Sequence, residues 1–408
     1  MAESTNNAWL HRFSLLTALA TLLLIGVGGL VTSNEAGMSV PDWPTSYGYN
    51  MFALPFKFWQ GGAFHEHTHR LIASTVGLLT AILAIWLWVW ETRGKTRRNG
   101  ALVILGILFV VGGMMGVRKN PVFVSIALVS LCGIVFGFFK IKQTSGLRWF
   151  GIVALSAVVL QGILGGLRVV LYKDEIGIFH ATLAQLFLVL ISSITVFTGK
   201  WWQSFSESKE SLGLSRNLRW LATIVTFLVF SQLILGATMR HQHAGLAIPD
   251  FPLAYGKLWP ATDPAAIQSI NQNRLEIRDP NPITAAHILV HMAHRVTAFL
   301  ILFGTAFLAF GVRRTLGAKA LLSRISLIWL GMIGAQLILG IFTVLKNKPA
   351  DIATAHVVLG AASLVIGSIL TILAQKISVE PQNRMLHVSP HSSVKPVSNF
   401  KAALTTGK

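Results

Sequence analysis

The 408-residue chain is short of acidic residues. Fifteen Asp and Glu stand against 34 Lys and Arg, charged residues make up 12% of the total and 53% of residues are hydrophobic. A soluble domain carries about 25% charged residues, and a nucleic-acid-binding domain is basic through added surface Lys and Arg, not through missing acids. With a mean hydropathy of +0.62, most of this chain has no water-facing side. That excludes a soluble globular domain and a nucleic-acid partner, and implies an all-α polytopic membrane protein among lipid. Cysteine is almost absent as well. Cys132 stands alone, which excludes an internal disulfide and a thiolate zinc site. The N-terminus lacks the features of a transit peptide or a cleaved signal, and the apolar run from Trp9 to Val31 is long enough to span a bilayer.

What is present is a series of apolar runs of about 17 to 25 residues, the length that crosses a hydrocarbon core. They lie near 10–31, 69–90, 101–117, 121–139, 149–171, 178–198, 218–239, 294–312, 325–345 and 354–375, so about ten transmembrane helices are expected. Placing the N-terminus inside puts 21 of the 34 basic residues on the cytoplasmic side, in accord with the positive-inside rule. Both termini are then cytoplasmic. The polar segment 377–408, with Pro381, Pro390 and Pro396, reads as a disordered tail.

The chain also repeats itself. VTSNEAGMSVPDWPTSYG at 31–48 matches MRHQHAGLAIPDFPLAYG at 239–256, and HEHTHRLIA at 65–73 matches VHMAHRVTA at 290–298. LQGILGGLRVVL at 160–171 resembles AQLILGIFTVLK at 335–346, pairing Gln161 with Gln336 and Gly165 with Gly340. FHATLA at 179–184 resembles AHVVLG at 355–360. The expected architecture is two tandem four-helix bundles in the same orientation, with 101–139 as an inserted helical hairpin. The boundaries are 1–198 for the first unit, 199–217 for a cytoplasmic linker and 218–376 for the second unit.

The repeat brings four histidines to equivalent places: His69, His180, His294 and His356. Each falls in the first turns of a helix entering from the outer face. Ionisable or ligating groups inside a bundle are functional candidates because burying them without partners is costly. Two imidazoles from neighbouring helices approaching a plane from opposite sides have the geometry of axial haem ligation, and Gly165, Gly166 and Gly340 would leave room for a macrocycle. Zinc and copper are rivals, but structural zinc wants four ligands and soft copper wants Met or Cys. The units differ in one respect. Glu66 stands one helical turn before His69, whereas the equivalent position before His294 is His291. A carboxylate beside one metal site alone suggests proton-coupled chemistry there, and electron transfer at the other; the plainer role for Glu66 is an acid near a helix N-terminus.

These residues resemble the haem A synthases of bacteria and mitochondria: PDWP at 41–44, the ExxHR arrangement of Glu66, His69 and Arg70, the His180 helix, AHR at 293–295 and the His356 helix, in order and in duplicate. The resemblance implies oxidation of a methyl group of haem O to a formyl group by successive hydroxylations, for terminal oxidase assembly. It implies that His69 and His180 hold the substrate haem with Glu66 as the catalytic carboxylate. His294 and His356 would hold a cofactor haem b. Arg70 and Arg295 would meet haem propionates or anchor helix ends. The implied partners are the haem O substrate, the haem O synthase that supplies it and oxidase assembly factors, with a homo-oligomer left open. Because no organelle-targeting segment is read before the first helix, the expected location is the bacterial inner membrane, with the mitochondrial inner membrane as the alternative. Two features depart from the pattern: residues 32–68 lack the cysteine pair of some bacterial members, and the 101–139 hairpin adds to the usual eight helices. His65, His67, His241, His243 and His287 read as interfacial. A di-haem electron-transfer cytochrome would explain the four histidines but not Glu66, and a repeat-built transporter would place its site at the midplane.

Overall fold

The computed structural model describes residues 7–115, 120–144, 146–207, 214–274 and 281–385. Among these residues the fold is helical, and its ten long helices are α1 (Ala8–Ser33), α2 (Gly61–Glu91), α3 (Gly94–Met115), α4 (Asn120–Thr144), α5 (Leu147–Leu171), α6 (Asp174–Thr198), α8 (Arg216–His241), α10 (Ala285–Leu316), α11 (Leu321–Leu345) and α12 (Ala350–Met385). All ten are long and apolar enough to cross a membrane. The protein is a multi-pass membrane protein. Two short helices, α7 (Lys200–Glu207) and α9 (Pro264–Gln272), lie in the connections.

Helix starts are marked by side-chain caps that satisfy the otherwise orphaned first amides. Asn7 accepts from the Trp9 and Leu10 amides, Ser215 from Leu218 and Thr284 from His287. The apolar runs located the helix interiors well but began α2 and α10 eight or nine residues late. Their first two turns carry HEHTHR and HILVHMAHR, which hydropathy alone scores as loop. At the other end, α12 continues through residues 377–385, which the composition placed in a disordered tail. Extending an existing helix fixes one residue per hydrogen bond and avoids a new nucleus. Residues 386–408 of that expected tail lie outside the described residues.

Two closed circuits of helix contacts organise the molecule. In one, α1 packs on α2, α2 on α5, α5 on α6 and α6 on α1; in the other, α8 packs on α10, α10 on α11, α11 on α12 and α12 on α8. The circuits meet where α1 touches α12, α6 touches α8 and α6 touches α12. Under the repeat, α1 corresponds to α8 and α6 to α12, so the first two contacts are mates and the third joins equivalent helices. The apolar cores of both circuits gather at the ends away from the histidines. Leu10, Leu83, Leu87, Ile191 and Ile194 form one core, and Leu308, Leu322, Trp329 and Leu373 belong to the other. Ile25, Leu188 and Ala361 close the seam between the circuits.

The hairpin α3–α4 joins the first circuit from outside, α3 along α2 and α4 along α5. It also does more than cover a lipid-facing surface. Phe123 of α4 meets Trp43 of the first outer loop edge-on, with ring centroids 5.0 Å apart. The two share a cluster with Ile126, Ile163 and Leu167.

Candidate functional site: two histidine pairs beneath two matched loops

The recurrent loop motif has a local structural cause. In the first loop the Asp42 carboxylate accepts hydrogen bonds from the Tyr47 amide at 2.6 Å and the Gly48 amide at 2.8 Å. In the second, Asp250 accepts from the Tyr255 and Gly256 amides at 2.8 and 2.9 Å. Tyr47 and Tyr255 both have φ of 52°, and Gly48 and Gly256 follow at 78° and 72°. Two successive left-handed residues make a tight turn in which glycine is the natural second member. The Tyr47 hydroxyl donates to the Ser39 carbonyl at 2.6 Å, and the Tyr255 hydroxyl does the same to Ala247. Burial and the neighbouring Asp250 push the Tyr255 phenol up to about 12, so it remains a donor. Both loops carry a cis bond before the second proline of the motif.

The arginines of the two His-Arg motifs complete these loops. Arg70 donates to the carbonyls of Val40 (3.0 Å), Asp42 (2.7 Å) and Thr45 (2.9 Å). Arg295 donates to the corresponding carbonyls of Ile248 (3.3 Å), Asp250 (2.6 Å) and Leu253 (2.9 Å). In the structure both guanidiniums hold a loop onto a helix.

Beneath each loop stands a pair of histidines, each two turns inside its helix. All four are half-buried, though they lie deep among the helices, so accessible space remains beside the rings. Each ring lies against a glycine of an adjacent helix. A Cβ added at Gly28 would come within 3.1 Å of His69, at Gly165 within 3.1 Å of His180, at Gly236 within 3.4 Å of His294 and at Gly340 within 3.2 Å of His356. Gly165 and Gly340 therefore make room for the imidazoles themselves. Gly166 makes room for Trp43, whose indole would lie 2.2 Å from an added Cβ. Gly28 and Gly236 were missed from sequence, although they share the loop's 208-residue offset.

Glutamines steady the backbone at three of the histidines. Gln161 donates to the His180 carbonyl at 2.8 Å, Gln336 to that of His356 at 2.8 Å and Gln232 to that of His294 at 2.9 Å. The His180 Nδ1 also lies 3.2 Å from the Gln161 carbonyl, a contact that orients an imidazole for ligation through its other nitrogen.

In the second pair, the His294 and His356 ring centroids are 6.5 Å apart. Two metal–imidazole bonds of about 2 Å with two ring radii of roughly 1 Å span a similar distance, so the rings are spaced for a single metal ion between them. The His294 Nδ1 is buried without a hydrogen-bond partner among the described residues. Among the described residues no group of three or more His, Cys, Asp and Glu is placed to hold a metal ion. A two-histidine site whose remaining ligands come from a porphyrin fits this donor set; a protein-ligated zinc site does not.

The first pair differs in what surrounds it. Glu66 is buried; its Oε1 takes a 2.6 Å hydrogen bond and ion pair from Arg70, and its Oε2 accepts from the Val40 amide at 2.9 Å. Each oxygen keeps a second lone pair. In the second unit the equivalent residue, His291, is also buried, and Arg295 has loop carbonyls alone as its recorded hydrogen-bond partners. Of the other histidines, His67 is buried beside Ser46 Oγ (3.3 Å) and the edge of Trp59, and His241 is buried against Gly177. Neither matches the expected interfacial setting, because each has an apolar or small-residue pocket to enter. His243 is exposed, and His65 and His287 are half-buried.

A family model described as "Cytochrome oxidase assembly protein" (COX15-CtaA) matches residues 11–119 and 122–368. The chain belongs to this family. Among curated proteins, one named "Heme A synthase" from Azorhizobium caulinodans is 26% identical over 92% of this chain and 93% of its own. Others of that name from Bradyrhizobium diazoefficiens and Shewanella oneidensis are each 24% identical, over 93% and 89% of this chain and 95% and 94% of theirs.

Proposed function

We propose that the protein is a haem A synthase, which oxidises a methyl group of haem O to a formyl group by successive hydroxylations. The reading is carried by one observation: two histidine pairs occupy equivalent places under matched loops, and a buried carboxylate, Glu66, stands one helical turn before the first histidine of one pair where the other has His291. In this reading His69 and His180 would hold the iron of the substrate haem O, in the unit formed by residues 1–198. His294 and His356 are the ligands of a haem b cofactor, in the unit formed by 218–376, with 199–217 as a cytoplasmic linker. When bound, haem b supplies a one-electron redox centre.

The protein's own groups then have distinct tasks. Gly28, Gly165, Gly236 and Gly340 let the imidazoles stand close to neighbouring helices, which fixes their approach. Gln161, Gln232 and Gln336 hold the helix backbone at three ligand positions. Glu66, one helical turn before His69, would accept a proton through its free lone pairs. Arg70 keeps that carboxylate oriented, and the Val40 amide ties it to the loop that closes the site from water. Supply of the substrate falls to a haem O synthase, and the product passes to oxidase assembly factors in the inner membrane, with both termini cytoplasmic as the distribution of Lys and Arg supports.

The test is extraction of haems from cells that co-express a haem O-forming enzyme, with and without this protein. Haem A should appear only with it. A di-haem b-type electron-transfer cytochrome would leave haem O unchanged, and that result would overturn the proposal.

A further inference from the structure

A cluster of cations at the seam between the two helix circuits has no part in the loops. Arg168, near the end of α5, has a side chain 16% exposed; its Nη2 is 3.8 Å from Asp174 Oδ1, and Asp174 is itself 47% exposed. The guanidinium lies flat on Gly37, where an added Cβ would be 3.0 to 3.3 Å from Nη1, Nη2 and Cζ. Arg168 stands one turn beyond Gly165, the α5 glycine against which the His180 ring lies. Arg240, near the end of α8, reaches across the seam to the Gly29 carbonyl and to Ser33 Oγ on α1. Ser33 Oγ in turn lies 3.3 Å from Thr354 Oγ1, two residues before His356. Buried His241 follows Arg240 in the chain, and an added Cβ at Gly177 would come within 2.6 Å of its ring and 3.0 Å of Arg168 Nε. The Nε atoms of both arginines are buried without hydrogen-bond partners.

Two guanidiniums held this close in a membrane-embedded seam, with one half-exposed carboxylate as the recorded ion-pair partner, form a site of positive potential that is costly to leave unneutralised. Each also keeps an unused Nε–H donor, the part of the guanidinium that joins a terminal N–H in binding a carboxylate through both its oxygens. We propose that Arg168 and Arg240 bind the carboxylate side chains of the porphyrins, Arg168 at the first histidine pair and Arg240 at the second. This rests on the haem reading above. It assigns carboxylate recognition to the seam and leaves Arg70 and Arg295 to the loops. Both porphyrins then turn their carboxylate edges toward the boundary between the units, so one electropositive cluster sets the orientation of each.

The test uses the purified full-length protein freed of haem, titrated with iron protoporphyrin IX and, separately, with its dimethyl ester, whose carboxylates are neutral. Binding is read from the Soret band, and the low-spin bis-imidazole spectrum reports ligation. Wild type should prefer the free acid by about ten- to a hundredfold, the range of a charge-assisted hydrogen bond. In a His180→Ala background, where only the second pair ligates, Arg240→Gln should lose that preference yet retain the bis-imidazole spectrum with the ester, and Arg240→Lys should recover part of it. Arg168→Gln should lose the corresponding preference in a His356→Ala background, where only the first pair ligates. In the His180→Ala background, retention of the full preference in Arg240→Gln, or its loss in Arg295→Gln instead, would overturn the assignment. If wild type gave no bis-imidazole spectrum with either porphyrin, the haem reading itself would fall, and the assignment with it.

Discussion

The two halves of this protein share a loop, a pair of histidines and the glycines that seat them, and differ at the residue one turn before the first histidine. In the first half Glu66 sits there, joined to Arg70 and the Val40 amide; in the second, His291 does. Under the proposed function the shared parts build a two-imidazole site, and the difference is where the halves would diverge in chemistry. That difference lies in a polar contact between helix and loop, not in the packing of the bundle.

The sharpest way to break the comparison is at the ligands. His294→Ala or His356→Ala should abolish the low-spin haem spectrum of the purified protein, whereas His69→Ala and His180→Ala should leave it. Equal loss from all four would mean that the pairs are not separate sites. Next in size is the carboxylate. Glu66→Gln retains an acceptor for the Val40 amide and removes the charge, so it should lower haem A formation by about 10²- to 10⁴-fold, the range for a general acid–base group. The haem spectrum should be unchanged. His291→Gln should alter haem A formation far less, and an equal effect would show that this position serves structure in both halves.

Arg70 and Arg295 offer a comparison in stability. Arg70→Met strands a buried carboxylate as well as three loop carbonyls, and should cost about 3–5 kcal/mol. Arg295→Met strands carbonyls alone and should cost about 1–3 kcal/mol. Thermal unfolding in detergent would rank them, and the reverse order would contradict the reading of Glu66 as the distinguishing partner. Smaller again is Gly166→Ala. The added carbon would meet the Trp43 indole at 2.2 Å, and overpacking of this kind costs about 1–3 kcal/mol. The equivalent place in the second half is Ile341, so the second half needs no such clearance.

Much of this was legible in the sequence because it follows from periodicity or from the repeat. The ten spans come from apolar length, the four histidines and Glu66 from alignment of the halves. What escaped depends on contacts between helices distant in sequence. Arg168 and Arg240 have no repeat mates: Arg168 aligns with Thr343, and Arg240 with Thr32. A search for recurring residues passes over them, although two arginines within apolar spans are a signal by their cost alone. The loop arginines were read correctly as a motif but left with two roles, because a sequence does not display which carbonyls a guanidinium will reach. The glycines under the histidines were half seen: their recurrence was visible for Gly165 and Gly340, but what they accommodate is the imidazole of the adjacent helix.

The finest test concerns the loops. Burial of Asp42 would raise its pKa, but hydrogen bonds from Thr45, Gly48 and Tyr47, with the charge of Arg70, outweigh this and hold it below the ordinary 3.8. A carboxylate depressed in the folded state stabilises that state fully above its unfolded value, and the contribution is lost as pH falls through the lower folded value. The Tyr47 and Gly48 amides should therefore resist hydrogen exchange near neutrality. Once intrinsic rates are allowed for, they should lose protection only below about pH 3.8. Asp42→Asn should weaken that protection at every pH and remove its acid dependence. If the variant kept the same acid response, another group would be responsible for it, and the first loop would not be held closed by the carboxylate that its motif conserves across the two halves.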